Sequence, residues 1–290
     1  MTSPTVLGID IGGTSVKALL VDGEGAELGE WRESTPHDDS SGIATAALVI
    51  GLLQTAQERS AVAAVGLVVP GEVDDDTGIV INAVNLGWLQ LRFRSMVQQS
   101  IDVPLAFGHD VRVGALAESI SVDTNGAMLF VPIGTGIASA LVVDGVPASR
   151  LEWPGELGQV VIDHGNLAGQ RLEDVASAGG IARRAGQPNA HAVAELVLAG
   201  DSAARAIWMD AVETIADALV IATLEADPRT IVIGGGLAES GALLFDPLIA
   251  AVEVRMHGRQ VPDIRPALLG DRAAVIGATH IARHLRERVS

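Results

Sequence analysis

The sequence predicts an α/β protein built from two related domains. The chain has 290 residues, close to the size of roughly 250–300 residues at which one hydrophobic core gives way to two. Of these residues 48% are hydrophobic and 19% are charged, which supplies enough apolar surface for packed cores and excludes a mainly disordered chain. An early segment of 18 residues recurs in the second half, and glycine-rich turns end apolar segments at three places.

The repeated segment defines the two domains. Residues 6–23 align without a gap with residues 128–145, and eight of the 18 positions are identical. Each copy contains an apolar strand, a Gly/Thr turn, a second apolar strand and an Asp-Gly turn, a pattern typical of a β-hairpin. Unrelated hairpins can share Ala, Val and Leu, but the two turns stand in one register, which favours duplication. We therefore expect an N-terminal α/β domain over residues 1–113, a larger one over 114–271, and a C-terminal helix over about 272–290 that joins the first domain.

The segments around the hairpins predict a mixture of helices and strands. Residues 40–59 have a helical pattern that Ser40 or Ser41 can cap, and residues 63–69 form an apolar strand that Pro70-Gly71 stops. Asp74-Asp75-Asp76 is predicted to be a solvated turn. The other predicted elements are helices over residues 111–120, 172–184, 203–226 and 272–288 and a strand over 230–233.

The composition excludes several classes of function. The 19 basic and 36 acidic side chains leave a net charge of −17, which argues against binding nucleic acid or an anionic membrane surface. No apolar run reaches the ~18 residues of a membrane-spanning helix, and the first residues lack the basic region of a secretory signal. Cysteine is absent, so disulfides and thiolate metal sites are excluded. We expect a cytoplasmic protein that acts on small molecules.

Three glycine-rich turns are candidates for binding a nucleotide. The first glycine turn is Gly12-Gly13-Thr14, the second is Gly134-Thr135-Gly136, and the third is Gly234-Gly235-Gly236. Glycine lets backbone N–H groups come close to a phosphate, and threonine adds a hydroxyl donor. Each turn taken alone could be a tight exit from a strand. Three of them, two inside a repeat, favour a bound nucleotide.

Two common nucleotide motifs are absent. A Walker P-loop requires Gly-Lys-Ser/Thr, but the single lysine of the chain, Lys17, stands between Val16 and Ala18. The third glycine turn lacks the final glycine of a dinucleotide-binding loop, because Glu239 occupies that position. Lys17 follows the first glycine turn closely, so it could contact phosphate or be structural.

Two aspartates are candidates for metal binding and acid–base chemistry. Asp10 lies on the first strand just before the first glycine turn, and a buried carboxylate is costly unless it is paired or binds a metal. Asp10 is therefore predicted to associate with Mg²⁺, through water. Asp110 opens a helix, where it could cap the helix and where N–H donors would hold its carboxylate ionised. An ionised aspartate can also accept the proton of a hydroxyl during phosphoryl transfer.

A set of motifs resembles the ROK family of bacterial sugar kinases, in the family's order and spacing over nearly the whole chain. The motifs are Gly8-Ile-Asp-Ile-Gly-Gly-Thr14, Pro70-Gly71, Asn85-Leu-Gly-Trp88, Gly155-Glu-Leu-Gly158, Leu172-Glu173 and Ile233-Gly-Gly-Gly236. The resemblance implies the actin-like ATPase (RNase H-like) fold, with a nucleotide cleft between duplicated α/β domains. It further implies a homodimeric, glucokinase-like enzyme that uses ATP and Mg²⁺ to phosphorylate the 6-hydroxyl of a hexose or N-acetylhexosamine.

The resemblance also implies roles for particular residues. Asp110 matches the family's general base. The first and second glycine turns match phosphate-binding segments, and the third matches a segment that lies against the adenosine. On sequence alone, Glu156 could equally be a solvent-exposed acidic residue of a loop. Glu173 could equally be an acidic residue in the first turn of a helix. The positions implied to bind the sugar are Gly71, Asn85, His109, Glu156, Gln159 and Glu173.

The chain departs from the family pattern beside the general base and at the positions of the zinc ligands. His109 stands where the family usually has asparagine, and Gln159 replaces a histidine that helps to bind zinc and touches the sugar. The three zinc-binding cysteines are replaced within residues 166–171, so we expect a zinc-free member in which packing and hydrogen bonds hold Glu173. Nearby His164 is predicted to be a surface histidine. Two alternatives stay open, a non-catalytic sugar or nucleotide sensor and a kinase that uses polyphosphate as donor.

Overall fold

The computed structural model describes residues 4–122, 126–151 and 153–289 and has the predicted α/β architecture. The chain divides into two compact units. Unit 1 contains Met1–Ala117 and Asp271–Ser290, and unit 2 contains Glu118–Gly270. Within the described ranges, no helix combines the length and the hydrophobicity that crossing a membrane requires.

Unit 1 contains a five-stranded sheet and a smaller three-stranded sheet among its described residues. In the larger sheet the strand order is β3-β2-β1-β4-β8, and β1, β4 and β8 run parallel while β2 and β3 are antiparallel to their neighbours. The strands are β1 (Val6–Ile11), β2 (Ser15–Val21), β3 (Glu27–Ser34), β4 (Ala64–Val69), β5 (Glu72–Asp74), β6 (Ile79–Ala83), β7 (Trp88–Leu91) and β8 (Leu105–His109). The helices are α1 (Ile43–Gln57), α2 (Phe93–Gln98), α3 (Asp110–Ser121) and α9 (Ala273–Val289).

Unit 2 repeats this arrangement. Its sheet has the order β11-β10-β9-β12-β13, again with an antiparallel hairpin at one side and parallel strands after it. The strands are β9 (Ala127–Pro132), β10 (Ala140–Val143), β11 (Val146–Pro147), β12 (Thr230–Gly234) and β13 (Asp263–Pro266). The helices are α4 (Leu172–Ala176), α5 (Ala178–Ala185), α6 (Ala190–Leu198), α7 (Ser202–Ala226) and α8 (Ala242–Arg255). The common strand order supports the duplication.

The two hairpins differ by one residue in register, so the alignment without a gap is wrong in detail. In the first hairpin Leu7 pairs with Leu20, and the ungapped alignment would pair Leu129 with Val142. The structure pairs Leu129 with Leu141 instead. The reason is the length of the turn, since four residues separate the paired Ile11 and Val16 in the first hairpin and three separate the paired Ile133 and Ile137 in the second.

Two predicted helices have different bounds from those expected. Helix α1 begins at Ile43 after Gly42, which has a φ of 71° and no side chain to cap the helix. The Ser41 hydroxyl accepts a long hydrogen bond of 3.4 Å from the N–H of Ile43. Asp39 makes the shorter contacts, because its Oδ2 accepts hydrogen bonds from the N–H of Thr45 at 2.8 Å and from its hydroxyl at 2.9 Å. The predicted helix over residues 172–184 is broken at Ser177, whose hydroxyl accepts from the N–H of Gly180 at 2.9 Å and caps α5.

The C-terminal helix α9 lies directly against the sheet of unit 1. A Cβ on Gly8 of β1 would be 2.5 Å from the carbonyl oxygen of Val275, and one on Gly66 of β4 would be 1.9 Å from that of Ala278. Two glycines on adjacent strands therefore allow the backbone of α9 to approach the sheet. This contact fixes the strands whose carboxyl ends carry the candidate residues of unit 1.

Candidate active site

The parallel strands of unit 1 bring several predicted residues to one edge of the sheet. Strands β1, β4 and β8 pair in register, with Asp10 opposite Val68 and Val69 opposite His109. Their carboxyl ends therefore meet, and they lead into the first glycine turn, Gly71 and Asp110 respectively. In open α/β sheets this edge is where ligands bind.

The first glycine turn is held by buried hydrogen bonds. The Thr35 hydroxyl donates to the Gly12 carbonyl at 2.6 Å, and the Thr35 N–H donates to the Thr14 carbonyl at 3.1 Å. Thr35 is only 2% exposed, whereas Gly13 and Thr14 are exposed. The turn is therefore a preorganised, accessible stretch of backbone, as a phosphate-binding segment requires.

Asn85 lies against the first glycine turn. A Cβ on Gly13 would be 3.1 Å from the Cβ of Asn85, which is exposed on a 3₁₀ turn over Val84–Leu86. The following Trp88 anchors this turn, since its buried indole N–H donates to the Asp39 carbonyl at 2.7 Å and its ring stacks on Phe93. The structure thus brings together a residue predicted to bind sugar and a turn predicted to bind phosphate.

Asp110 has an environment that favours proton uptake. Its Oδ1 accepts a hydrogen bond from the N–H of Val111 at 2.7 Å. Burial and, to a smaller extent, the negative charge of Asp10 raise the pKa of Asp110 from 3.8 to about 7, against the opposing effects of the helix N–H groups and of Arg112. The expectation that these N–H donors keep the carboxylate fully ionised is therefore wrong, because desolvation outweighs them.

His109 is a neutral neighbour of Asp110. Burial and the positive charge of Arg112 lower the pKa of His109 to about 3, although a hydrogen bond with the backbone of Gly71 opposes them. Its Nδ1 accepts from the N–H of Arg112 at 3.4 Å, so the proton lies on Nε2, which is 3.4 Å from Oδ1 of Asp110. The pair is therefore a neutral donor beside a carboxyl group, not an ion pair, at pH 7.

Arg112 is a residue that the sequence analysis missed. Its guanidinium is buried and donates to Oδ1 of Asp75 at 2.8 Å and to the carbonyl of Val73 at 3.3 Å. The interpretation of residues 74–76 as a purely solvated turn is thus wrong for Asp75. No local pattern could reveal this contact, because the partners are 37 positions apart.

Asp10 and Lys17 belong to a charged cluster in unit 1. Burial raises the pKa of Asp10 to about 6, opposed by Lys17, whose Nζ is 4.0 Å from Oδ2 of Asp10. The Lys17 ammonium also lies 3.2 Å from Oδ2 of Asp271 and donates to its carbonyl. Among the described residues no three acidic or histidine side chains form a metal cluster. Asp10 nevertheless fits Mg²⁺, which commonly takes one or two carboxylates besides water and phosphate.

The second and third glycine turns lie side by side in unit 2. They follow the parallel strands β9 and β12, and the N–H of Ile133 donates to the Gly234 carbonyl at 2.9 Å. Gly235 has a φ of 75°, and its Cβ would be 2.4 Å from the carbonyl of Ile133, so only glycine fits there. A Cβ on Gly134 or on Gly236 would meet no heavy atom within 4 Å. Both turns therefore offer open backbone to a ligand.

Glu173 lies beside the second glycine turn. Its Oε2 is 3.1 Å from the position of a Cβ on Gly136 and 3.0 Å from that of a Cβ on Gly158. The Nε2 of Gln159 donates to Oε1 of Glu173 at 2.9 Å. Glu156 is exposed and precedes the 3₁₀ turn over Leu157–Gln159. Unit 2 therefore places Glu173 and the amide of Gln159, both predicted for the sugar, beside the second glycine turn, which is predicted for the nucleotide.

Comparison with known proteins gives the family. The model of the ROK family matches residues 6–285. The chain belongs to the ROK family. A glucokinase of Halalkalibacterium halodurans is 29% identical over 96% of this chain and 94% of its own, and an N-acetylmannosamine kinase of Escherichia coli is 28% identical over 96% and 98%.

A solved structure supports the fold of this ROK-family chain. The ROK family glucokinase from Streptomyces griseus in complex with glucose and AMPPNP has a TM-score of 0.80 at 23% identity and covers 97% of this chain and 99% of that one. The prediction of an actin-like ATPase fold is confirmed, and the repeated strand order of the two units agrees with it.

The residues that stand where the resemblance implied zinc ligands form a hydrogen-bonded cluster in this ROK-family chain. The guanidinium of Arg171 lies 3.1 Å from Oε1 of Glu173 and 3.0 Å from Oε1 of Gln159. A cation is already present among these acceptors, so the residues do not fit a zinc ion. His164 is 69% exposed and contacts Asp163 and Asp217, which agrees with its prediction as a surface histidine.

Proposed function

We propose that this protein is an ATP-dependent sugar kinase that phosphorylates the 6-hydroxyl of a hexose or N-acetylhexosamine, with Asp110 as the general base. The chain is an enzyme of the sugar-kinase class, a phosphotransferase with an alcohol acceptor. Relatives named glucokinase and N-acetylmannosamine kinase support the two sugar classes. The observation that carries the role of Asp110 is a partly buried carboxyl group at the ligand-binding edge of unit 1, whose pKa is raised to about 7 by desolvation and by Asp10.

The proposed chemistry is proton removal coupled to phosphoryl transfer. The hydroxyl O–H bond breaks, its proton passes to the Asp110 carboxylate, and the oxygen forms a bond to the γ-phosphorus as ADP leaves. A pKa near the working pH suits this task. The Nε2 of neutral His109 lies 3.4 Å from Oδ1 of Asp110, where it would help to orient the carboxyl group. Asp10 would hold Mg²⁺ through water, and bound Mg²⁺ supplies neutralisation of phosphate charge.

The other predicted residues have proposed binding roles. The first and second glycine turns bind the ATP phosphates, with Lys17 in reach of the same charge, and the third lies against the adenosine. Amides and carboxylates can pair with both the donors and the acceptors of a polyhydroxylated sugar. The proposed sugar contacts are Gly71, Asn85, His109, Glu156 and Glu173. The cytoplasmic location and the homodimer both stay predictions. Sedimentation of the purified protein tests whether it is a dimer.

The test of this function is an assay of sugar phosphate formation, detected by mass spectrometry. ATP with Mg²⁺ and inorganic polyphosphate are compared as donors on glucose, mannose, N-acetylglucosamine and N-acetylmannosamine. We expect turnover of one sugar with ATP. Turnover with polyphosphate alone would contradict the proposed donor. Thermal stabilisation by a sugar without turnover would favour the sensor.

The pH dependence of kcat/KM tests the role of Asp110. Only an ionised Asp110 accepts a proton, so kcat/KM is expected to fall as the pH drops below about 7 and to level off above it. The measurement is initial rates at low sugar concentration from pH 5.5 to 8.5. A flat profile over this range would argue against a buried aspartate base.

A further inference from the structure

Arg171 connects three side chains beside the proposed sugar site. Its Nη1 donates to Oε1 of Gln159 at 3.0 Å and lies 3.1 Å from Oε1 of Glu173. Its Nε and Nη2 donate to the two carboxylate oxygens of Asp174 at 2.9 and 3.1 Å. One guanidinium therefore joins Glu173, Asp174 and Gln159, which we call the Arg171 cluster.

We infer that Arg171 is a positioning residue for the reaction, which holds Glu173 in the orientation that binds the sugar and does so in place of a metal ion. This inference rests on the proposed function, in which Glu173 contacts the sugar. A guanidinium is planar and always charged, and its fork of donors can bind two acceptors at once in a fixed direction. These properties are what a structural cation supplies to its ligands.

The backbone around Arg171 makes this arrangement rigid. Residues 160–172 form a loop that closes on itself, since the N–H of Leu172 donates to the Val160 carbonyl at 2.8 Å and that of Ile162 to the Gln170 carbonyl at 2.9 Å. A bridge between Val161 and Arg171 continues this pairing. This pairing places the backbone of Arg171 opposite that of Val161, so backbone hydrogen bonds close the base of the loop.

The two oxygens of Glu173 have different surroundings. Oε1 accepts from Gln159 and lies beside Arg171, whereas Oε2 lies by the backbone of Gly136 and Gly158. The Arg171 cluster therefore holds one oxygen and directs the other toward the second glycine turn. The amide of Gln159 donates to Glu173 through Nε2 and accepts from Arg171 through Oε1. Gln159 is therefore a positioning residue that acts through Glu173, whereas the sequence analysis predicted that it contacts the sugar directly.

The energetics separate this role from a structural one. Arg171 is 46% exposed on its side chain, and exposed ion pairs contribute about 0–1 kcal/mol to stability. We therefore expect Arg171→Ala to leave the melting temperature nearly unchanged. Misdirecting Glu173 affects sugar binding far more, because small displacements of a positioning group cost up to about 100-fold in activity.

The test compares Arg171→Ala, Arg171→Lys and Glu173→Gln by steady-state kinetics and by calorimetric binding of glucose and N-acetylmannosamine. We expect Arg171→Ala to raise the sugar KM and Kd about tenfold or more with an unchanged KM for ATP. Arg171→Lys keeps the positive charge but lacks the paired N–H donors of the guanidinium, so only part of the sugar affinity is expected to be retained. The control is Arg183→Ala, since Arg183 contacts Asp174 at 3.4 Å and, within the described part of the chain, forms no ion pair with Glu173.

A double variant decides whether Arg171 acts through Glu173. If it does, Arg171→Ala combined with Glu173→Gln binds sugar no more weakly than Glu173→Gln alone. Two results would overturn this inference and leave the kinase proposal standing. One is that the losses of sugar affinity add up in the double variant. The other is a normal sugar KM in Arg171→Ala while Glu173→Gln binds sugar poorly. Normal sugar binding by Glu173→Gln would overturn both the inference and the sugar contact proposed for Glu173. The same conclusion would follow if the unaltered protein bound neither sugar.

Removal of transition metals gives an independent measurement. Because Arg171 supplies the cation of the cluster, 1,10-phenanthroline is expected to change neither the melting temperature nor the sugar affinity of the unaltered protein. A clear fall in either quantity, restored by added zinc, would show that a metal and not Arg171 holds Glu173.

Discussion

Asp110→Asn is expected to lower kcat by about 10²–10⁴-fold while the Kd values of sugar and ATP change by less than about threefold. The substitution preserves the size of the side chain and removes its ability to take up a proton. Steady-state kinetics measure the loss, and calorimetric titration measures the two affinities. The matched control is Asp163→Asn, which makes the same change at a carboxylate that is 93% exposed in unit 2 and is expected to leave kcat unchanged.

Stability measurements show whether such a loss comes from misfolding. Because the pKa of Asp110 is raised from 3.8 to about 7 in the folded protein, its ionised form opposes folding above pH 7, and this cost disappears below about pH 4. Asp110→Asn is therefore expected to be more stable than the unaltered protein at pH 8, by at most about 4 kcal/mol, with little difference near pH 4. An active variant would remove Asp110 from the role of base.

Gly66→Ala is expected to destabilise the protein by about 3 kcal/mol or more, which corresponds to a fall of about 6–12 °C in melting temperature. The added Cβ would stand 1.9 Å from the carbonyl oxygen of Ala278 and 2.8 Å from its carbonyl carbon. Both atoms belong to the backbone of α9, so the helix itself must move. Differential scanning calorimetry measures the change.

Gly51→Ala is the matched control for this substitution. Gly51 lies inside α1, and a Cβ there meets no heavy atom within 4 Å. Alanine is favoured over glycine in a helix, so this variant is expected to be stabilised by about 0.5–1 kcal/mol. Equal melting temperatures for the two variants would contradict the close packing of α9 on β4.

Much of the fold and of the candidate site could be predicted because it depends on residues close together in sequence. The hairpins followed from apolar segments joined by Gly/Thr turns and followed by Asp-Gly turns, and the glycine turns stand where strands end. Asp110 follows a strand and opens a helix, so its placement at a sheet edge was also predictable. Local steric and hydrogen-bonding preferences determine such features.

The electrostatic state of the site could be decided only by the tertiary structure. The pKa of Asp110 depends on burial and on Asp10, which lies 100 positions earlier, and Arg112 meets Asp75 across 37 positions. The contact of Arg171 with Gln159 spans 12 positions and forms because the intervening loop closes. Desolvation and charge–charge interactions depend on distances through space, so a sequence pattern identifies which groups are present, and the fold determines which of them meet and in what protonation state.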